Sequence, residues 1–369
     1  MTVRIRDDAY VAVLHAMAGD PAIVDDLVAA ARSASPVVAQ LPVEESRRHV
    51  AVLLAAGLAA FEGAEPSERD FAEATRLGAD RAAQGVPLAG LLAGIQAGRT
   101  RALQIAIERG RAAAVPDDTL VQVLLELDGY TAALERHVIE GHHAAERELA
   151  RSAQEARARA LRRVLTGQPR PDDAARLGLD RDRRYHVVVG PAAGRLPGGP
   201  VATVDGWPAG LVTRAPATGD ELLVVAPAAP LARAPAMYRL CVLACRAAAR
   251  TGATGSHGLA DLAGAAALEA QPVLAGLVCD ALLGDLDPAD EFHRELAGTA
   301  LAYLDHGQRL DQAAAALHVH PNTVRYRLRR LGEIAGPAAA GVDGGRRLTV
   351  LEALRLWWAL DHWLGHFDA

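Results

Sequence analysis

The chain contains no lysine, so arginine supplies all 39 of its basic residues. Aromatic residues are also few, at 4% of the 369 positions, while the apolar content reaches 51% and is mostly alanine, leucine and valine. Alanine and leucine favour helices, and the scarcity of aromatic residues disfavours β-sandwiches. A missing lysine is typical of GC-rich genomes and excludes no function.

Cysteines are equally scarce, with only Cys241, Cys245 and Cys279 present. Their odd number and the absence of a CxxC spacing argue against a disulfide framework and suit a reducing compartment. Cys241 and Cys245 lie one helical turn apart and could hold a metal ion, but no histidine or further cysteine lies at a suitable spacing. The pattern favours buried core thiols, and we predict neither a metal nor a cofactor site.

Long hydrophobic runs are missing as well. The longest apolar run, residues 50–61, is shorter than the roughly 20 residues that a membrane-spanning helix needs. The N-terminal segment mixes acids into its charged region and lacks the apolar core of a signal peptide. We therefore expect no membrane association and a cytoplasmic location. The sequence also shows no Ser/His/Asp or Cys/His constellation and no phosphate-binding loop, which indicates a protein other than an enzyme.

Helical patterns dominate the first part of the chain. From Ile5 to about Gly110 apolar residues recur at three and four positions, which predicts a helical bundle within residues 1–150. A very long helix is predicted from Asp117 to Thr166; its charged second half would connect the bundle to the next domain and could coil with a second subunit. Its apolar positions form one predicted stripe: Leu134, Val138, Ala145, Leu149, Ala156 and Val164.

The pattern changes after Gly167. Short apolar runs separated by Gly and Pro predict strands at residues 185–190, 201–206, 210–214 and 221–227. Helices are predicted over Ala234–Arg250 and from Leu259 to about Leu283. These elements predict a small α/β domain over residues 167–285.

The last part of the chain, residues 286–369, is predicted to be all-α and to contain two short helices joined by a tight turn. The first helix reads LDQAAAALHV. In the second helix His320 is at the N-cap and Pro321 fits the first helical position, where no N–H bond is lost. The apolar residues that recur at four, three and four positions predict its buried side: Val324, Leu328, Leu331 and Ala335.

The outward side of this second helix is polar, basic and aromatic. At about 100° per residue, Asn322, Tyr326 and Arg329 point away from the buried side. Arg325 and Arg330 lie on its flanks. Asparagine can pair bidentately with adenine and arginine with guanine, while further arginine and tyrosine side chains reach phosphates, so the helix suits a DNA major groove. From these residues alone, a solvated charged face remains the alternative.

The C-terminal part resembles the helix-turn-helix domain of the PucR family of bacterial transcriptional regulators. The resemblance is carried by LDQAAAALHVHPNTVRYRLRRLGEIAG and RRLTVLEALRLWW. The family pattern H-x-N-T-x-x-Y-R-L begins here at His320. One departure is His318, where a glycine is common, since histidine is costly if the position needs a positive φ angle. Arg327, nearest the buried side, is expected to pair with an acid inside the domain. The residues assigned to DNA contact are His320, Asn322, Thr323, Arg325, Tyr326, Arg329 and Arg330.

A second resemblance concerns the middle domain. The stretch TGDELLVV, residues 218–225, resembles the GGDEF hairpin of diguanylate cyclases, which PucR-like regulators often carry in a degenerate form. Thr218 replaces a glycine that would approach the GTP phosphates, and the strand at 185–190 ends without a metal-binding aspartate, so no cyclase activity is implied. Asp220 and Glu221 are interpreted as hairpin-turn residues, with a retained nucleotide-sensing site as the alternative.

A third resemblance concerns the N-terminal bundle, which is similar to the helical domain of stressosome RsbR-type proteins. These are globin-like without haem, so His137, His142 and His143 on the long helix are candidate haem ligands. Polar histidines on a charged helix are usually solvated, and we expect solvated side chains here.

Taken together, the sequence predicts a mainly α, multi-domain protein with a helical N-terminal bundle, which the RsbR-type resemblance implies is globin-like, a small α/β GGDEF-like middle domain and an all-α helix-turn-helix domain. The predicted function is sequence-specific binding of double-stranded operator DNA by a homodimer or higher homo-oligomer. A signal, such as an unknown small-molecule effector, would act through the N-terminal or middle domain. The alternative is a stressosome-type protein-interaction scaffold whose helix-turn-helix is vestigial.

Overall fold

The computed structural model describes residues 20–62, 71–196, 199–216, 219–336 and 346–365. They fall into two compact units that divide between Glu155 and Ala156. The described residues are mainly helical and include one small mixed sheet, which confirms the predicted fold class. The predicted domain boundaries near 167 and 285 lie inside the second unit and stay predictions.

The first unit is a helical bundle. Its described helices are α1 (Pro21–Ala34), α2 (Pro36–Ala39), α3 (Val43–Glu62), α4 (Ala72–Ala83), α5 (Leu88–Ala112) and the beginning of α6 (Asp117–Thr166). Local sequence determines where helices α1 and α2 begin. Asp20 caps α1 by accepting from Ala22 N at 3.0 Å, and Ser35 caps α2 by accepting from Val38 N at 3.3 Å. Proline follows each cap at the first helical position.

The long helix α6 has the bounds that its sequence predicts. Its first half supplies Tyr130, Leu134 and Val138 to a core shared with α4 and α5. Its last turns, from Ala160 to Leu165, are buried in the core of the second unit. One continuous helix therefore contributes to both units.

Two glycines allow α4 and α6 to touch backbone to backbone. A Cβ added at Gly141 would lie 2.0 Å from the carbonyl oxygen of Thr75, and one added at Gly78 would lie 2.0 Å from that of Val138. No side chain fits at either point. The imidazole of His142, next to this crossing, lies 2.8 Å from the carbonyl oxygen of Val86 through its Nε2. The crossing therefore fixes α6 against the bundle.

The stripe predicted on α6 is covered only in part, because Val138 is fully buried inside the bundle whereas Leu149 is 49% exposed. The prediction that the histidines of α6 are solvated is wrong for two of them. His142 is only 1% exposed, and His137 stacks on the ring of Phe71 with centroids 4.7 Å apart. The residues that pack against α6 come from distant parts of the chain, so its own pattern could not reveal them.

The second unit contains a mixed sheet with the strand order β2-β3-β1-β4-β6, and β5 pairs with the start of β1. The strands are β1 (Arg184–Val189), β2 (Val201–Val204), β3 (Trp207–Val212), β4 (Leu223–Val225), β5 (Ala229–Pro230) and β6 (Ser256–Gly258). Only β4 and β6 pair in parallel. The turn between β2 and β3 is Asp205-Gly206, both at positive φ, as a tight hairpin requires.

This topology corrects the interpretation of Asp220 and Glu221 as hairpin-turn residues. Strands β3 and β4 pair with opposite edges of β1, so the segment between them crosses to the other side rather than closing a hairpin. Thr218 lies outside the described residues. The four predicted strands exist with shifted ends, while β5 and β6 were not predicted.

Helices complete the second unit. They are α7 (Asp173–Leu177), α8 (Ala234–Arg250), α9 (Ala263–Glu269), α10 (Pro272–Leu283), α11 (Glu291–Asp305), α12 (Leu310–Ala316), α13 (Pro321–Ala335) and α14 (Val350–Gly365). The single helix predicted from Leu259 is wrong, since it starts later and breaks before Pro272. Within the described residues no single helix is long and apolar enough to span a bilayer, although the bent pair α9 and α10 together would meet that criterion.

The C-terminal helices share one core. Leu296 of α11, Leu328 of α13 and Leu360 of α14 are fully buried in it. The start of α14 is fixed by a capping box, in which Glu352 accepts from the backbone N–H of Thr349 at 2.8 Å and the Thr349 hydroxyl accepts from Glu352 N at 3.4 Å. Hydrogen bonds from Arg346 and Thr349 lower the pKa of Glu352 to about 2. These contacts provide a rigid base for α12 and α13.

Candidate nucleic-acid interface

The turn between α12 and α13 is a Schellman motif. Val319 N donates to the carbonyl of Ala314 at 3.0 Å, and His318 N donates to that of Ala315 at 3.3 Å. His318 has a φ of 54°, in the left-handed region that favours glycine. The positive φ angle that the sequence comparison with glycine indicated for this position is therefore confirmed. The turn ends α12 sharply and sets the direction of α13.

Replacing His318 with glycine is expected to stabilise the second unit by about 1 kcal/mol, because glycine adopts positive φ without the strain of a Cβ. The four tryptophans, at 207, 357, 358 and 363, all lie in this unit, so tryptophan emission during denaturant unfolding measures the change. Ala315→Gly, at an exposed position of α12, is the control and should destabilise by about 1 kcal/mol. A lower midpoint for His318→Gly would reveal a stabilising contact of the imidazole.

Helix α13 begins and packs as predicted. The Nδ1 atom of His320 accepts a hydrogen bond from Asn322 N at 3.2 Å, which makes His320 the N-cap, and Pro321 takes the first position. Its buried residues are Val324, Leu328, Leu331 and Ala335. This agreement follows from local rules, since a cap and a four-three-four apolar period are both visible in the sequence.

Arg327 is bound inside the domain, which confirms its predicted role. Its guanidinium forms an ion pair with Glu295 of α11 and donates to the hydroxyl of Thr299 at 3.4 Å. The sequence predicted an acid as the partner of Arg327 without identifying it. The pair joins α13 to α11 and leaves the remaining arginines of α13 on its outward side.

The outward side of α13 carries two linked pairs of side chains. Arg325 donates to Oδ1 of Asn322 at 2.9 Å, which orients the Asn322 amide. The guanidinium carbon of Arg329 lies 5.8 Å from the centroid of the Tyr326 ring, within the range of a cation–π contact. Tyr326 is 49% exposed, although large aromatic side chains are usually covered. Three further residues assigned from sequence lie on or beside this side: His320, Thr323 and Arg330.

An acidic residue near the end of the helix partly neutralises this positive charge. Glu333 lies 2.7 Å from Arg330 and 4.0 Å from Arg329, and all three side chains are about half exposed or more. Such solvated pairs within one helix contribute little to stability, so either arginine can exchange Glu333 for another anion. The outward side is therefore a solvent-exposed basic surface that surrounds an oriented amide and an aromatic ring.

The middle part of the second unit contains the two cysteines of α8. Cys241 and Cys245 are fully buried beneath the sheet, as predicted, and burial raises their pKa values to about 12 and about 11. Burial thus favours the protonated form of both thiols at neutral pH. Among the described residues, no group of three or more His, Cys, Asp or Glu is placed to hold a metal ion.

Comparison with known proteins identifies both ends of the chain. Residues 21–157 match the RsbT co-antagonist protein rsbRD N-terminal domain, and residues 296–360 match the PucR C-terminal helix-turn-helix domain. Uncharacterized proteins of Mycobacterium bovis and Mycobacterium tuberculosis are 32% identical over 133 residues. That stretch is 32% of this chain and only 29% of each relative's length.

A solved structure is also similar, the regulator of polyketide synthase expression from Bifidobacterium adolescentis. The similarity covers 55% of this chain and 98% of that one, with 20% sequence identity and a TM-score of 0.25.

A short helix, a left-handed turn and a second, basic helix over one shared core define a helix-turn-helix DNA-binding domain. The matched residues make it a domain of the PucR type. The chain therefore combines a PucR-type helix-turn-helix domain near its C-terminal end with an RsbRD-type N-terminal domain. The GGDEF-like character of residues 167–285 stays a prediction.

Proposed function

We propose that the protein is a sequence-specific transcriptional regulator that inserts α13 into the major groove of operator DNA. The observation that carries this proposal is the outward side of α13, where an oriented amide, an exposed tyrosine and three exposed arginines lie opposite a fully buried apolar side. A face of this kind has no use inside the domain. It matches what a recognition helix needs for base edges and phosphates.

The position of each side chain suggests its role. Asn322 is the second residue of α13, and the first residues of a recognition helix contact base edges, so Asn322 pairs with an adenine in this proposal. Arg325 orients that amide and reaches a neighbouring base or phosphate. Arg329 and Arg330 lie one to two turns further on and contact phosphates, and Tyr326 lies between Arg325 and these two arginines. His320 and Thr323 flank the helix start, where phosphate oxygens accept hydrogen bonds.

A homodimer is the second part of the proposal. Residues 146–155 of α6 are exposed in the single chain, and Leu149 lies among them with Arg151 paired to Glu148 and Glu155. An exposed leucine between ion pairs suits a seam between two copies of this helix. Two-fold dimers read half-sites about 34 Å apart, or a multiple of that distance. A signal that acts on the N-terminal or middle domain would change that spacing.

Selection of bound fragments from genomic DNA tests the function, followed by mobility-shift titration of the full chain on the best fragment and on scrambled DNA of equal length. We expect the selected fragment to bind at least about 1,000-fold more tightly than the scrambled one, the lower end of the range for specific regulators. Recovered sites should show two related half-sites in inverted orientation. Equal affinity for both DNAs would contradict sequence-specific regulation.

A second function is favoured by the N-terminal match, which covers more of the chain than the helix-turn-helix does. Its description names a co-antagonist of RsbT, so the chain could act as a protein-interaction scaffold in which the helix-turn-helix is vestigial. The mobility-shift titration separates the two. A scaffold would bind DNA with neither specificity nor dependence on the outward residues of α13.

A further inference from the structure

An apolar cavity, partly open to solvent, lies between the helices of the N-terminal bundle. Its volume is about 180 Å³, and its walls come from α1, α3, α5 and α6 together with parts of the neighbouring helices. Most of the lining side chains are aliphatic, including Leu27, Val50, Leu53, Leu91, Ile95 and Leu127. A concave, largely aliphatic surface of this size is a common form of small-molecule site, so the cavity requires an explanation.

The hydroxyl groups on the cavity wall are already satisfied. Ser46 donates to the carbonyl of Pro42 at 3.4 Å, and Thr131 donates to that of Leu127 at 2.9 Å. Each hydroxyl donates to a carbonyl four residues earlier in the chain: that of Thr131 within α6, and that of Ser46 at the residue just before α3. Because each hydroxyl is engaged with backbone, neither requires a polar partner from a ligand.

The charged groups on the wall are likewise paired. Arg81, only 3% exposed, donates to Glu45 at 2.7 Å and to Gln84 at 2.6 Å. Arg81 also lies 3.2 Å from Nδ1 of His49, and a guanidinium can only donate, so that nitrogen is the acceptor. Burial, followed by the charge of Arg81, lowers the pKa of His49, and the imidazole is neutral at neutral pH.

The remaining guanidinium on the wall, that of Arg99, forms an ion pair with Asp128 and lies 3.9 Å from Glu135. Each arginine of the lining therefore has a carboxylate of its own. A ligand with a carboxylate or phosphate would have to displace one of these partners and bury it without a counter-charge, which is unfavourable.

We propose that this cavity is a binding site for a small, uncharged, apolar molecule of about the size of benzene or toluene. An engineered apolar cavity of about 150 Å³ in another protein binds benzene, so a volume of this order holds a single aromatic ring. The site belongs to the first unit alone, and the proposal does not depend on DNA binding.

Isothermal titration of the full chain with toluene, up to its solubility limit, tests the site. We expect saturable binding of one toluene per chain. Benzoate has the same ring but carries a negative charge, and it should bind at least tenfold more weakly. No saturable binding of toluene, or benzoate binding as tight as toluene, would overturn the proposal.

Cavity-filling variants show whether the bound toluene occupies this space. Gly98 lines the cavity, and the nearest heavy atom to an added Cβ is the carbonyl oxygen of Leu27 at 4.0 Å, so Gly98→Leu has room for its side chain. Ala102→Leu, one turn further along α5, fills the same space and serves if Gly98→Leu fails to fold. Each should weaken toluene binding at least tenfold, whereas Ala89→Leu, exposed on the same helix, should leave it unchanged. Unaltered affinity in a folded cavity-filling variant would place the toluene elsewhere and contradict the assignment.

Discussion

Gly141→Ala should destabilise the N-terminal bundle by at least about 3 kcal/mol, enough to unfold it partially in a protein of ordinary stability. The new Cβ would lie 2.0 Å from the carbonyl oxygen of Thr75, which is backbone and cannot move aside as a flexible side chain could. Helices α4 and α6 would have to separate by more than 1 Å, roughly a third of a van der Waals contact distance. That separation would also disturb the contact between His142 and Val86.

Gly129→Ala is the matched control. It lies on the same helix, but an added Cβ at Gly129 would have no heavy atom within 4 Å. Because alanine is the better helix former, this variant should be more stable by up to about 1 kcal/mol. The same chemical change thus has opposite effects at two positions 12 residues apart, depending on whether a backbone crosses there.

The two units can be followed separately in one experiment. Every tryptophan lies in the second unit, whereas far-ultraviolet circular dichroism reports helices in both. Gly141→Ala should shift the first loss of ellipticity to lower denaturant and leave the tryptophan transition in place. Coincident and unshifted transitions for Gly141→Ala would show that the two helices do not touch at this point.

The sequence predicted well wherever structure depends on near neighbours. The bounds of α6, the N-cap at His320 and the buried side of α13 all follow from caps and from an apolar period of three and four. The sharp end of α12 at His318 was anticipated through the PucR resemblance rather than from periodicity. Arg327 was correctly separated from the outward arginines because its helical angle places it beside the buried residues.

Features that depend on distant segments were missed. His142 belongs to a charged stretch, and its burial depends on α4 and on Val86, which lie more than 50 residues earlier. The cavity arises where several helices meet without filling the space between them, which no single helix pattern records. In the sheet, Asp205-Gly206 is a typical hairpin-turn sequence, but the strand predicted at residues 201–206 includes both residues.

Removing Arg325 and Arg329 together should weaken operator binding at least about 30-fold, and leave folding unchanged. Each contact to a base or phosphate contributes about 1 to 3 kcal/mol, and a loss of 2 kcal/mol corresponds to about 30-fold in affinity. Both side chains lie on the outward side of α13, and neither supports the buried residues. The unfolding midpoint measured by tryptophan emission should therefore match that of the parent.

Two companion variants test whether position rather than total charge matters. Arg355→Ala removes an exposed arginine from α14, which packs on α10 and α11, and should bind DNA like the parent. Glu333→Gln removes the acid that pairs with Arg329 and Arg330, so both become available to phosphate and affinity should rise. A uniform loss of affinity from Arg325→Ala, Arg329→Ala and Arg355→Ala would indicate a diffuse electrostatic effect.

Salt dependence then assigns the role of each arginine. An arginine that contacts only phosphate releases a counterion, so its removal should lower the slope of log K against log salt by about 1 and weaken all sequences alike. An arginine that reads a base should instead relax the preference at one operator position. We expect the first behaviour for Arg329 and the second for Arg325, whose partner Asn322 lies at the start of the helix. Wild-type affinity and slope in the folded double variant would show that α13 does not enter the groove with this side.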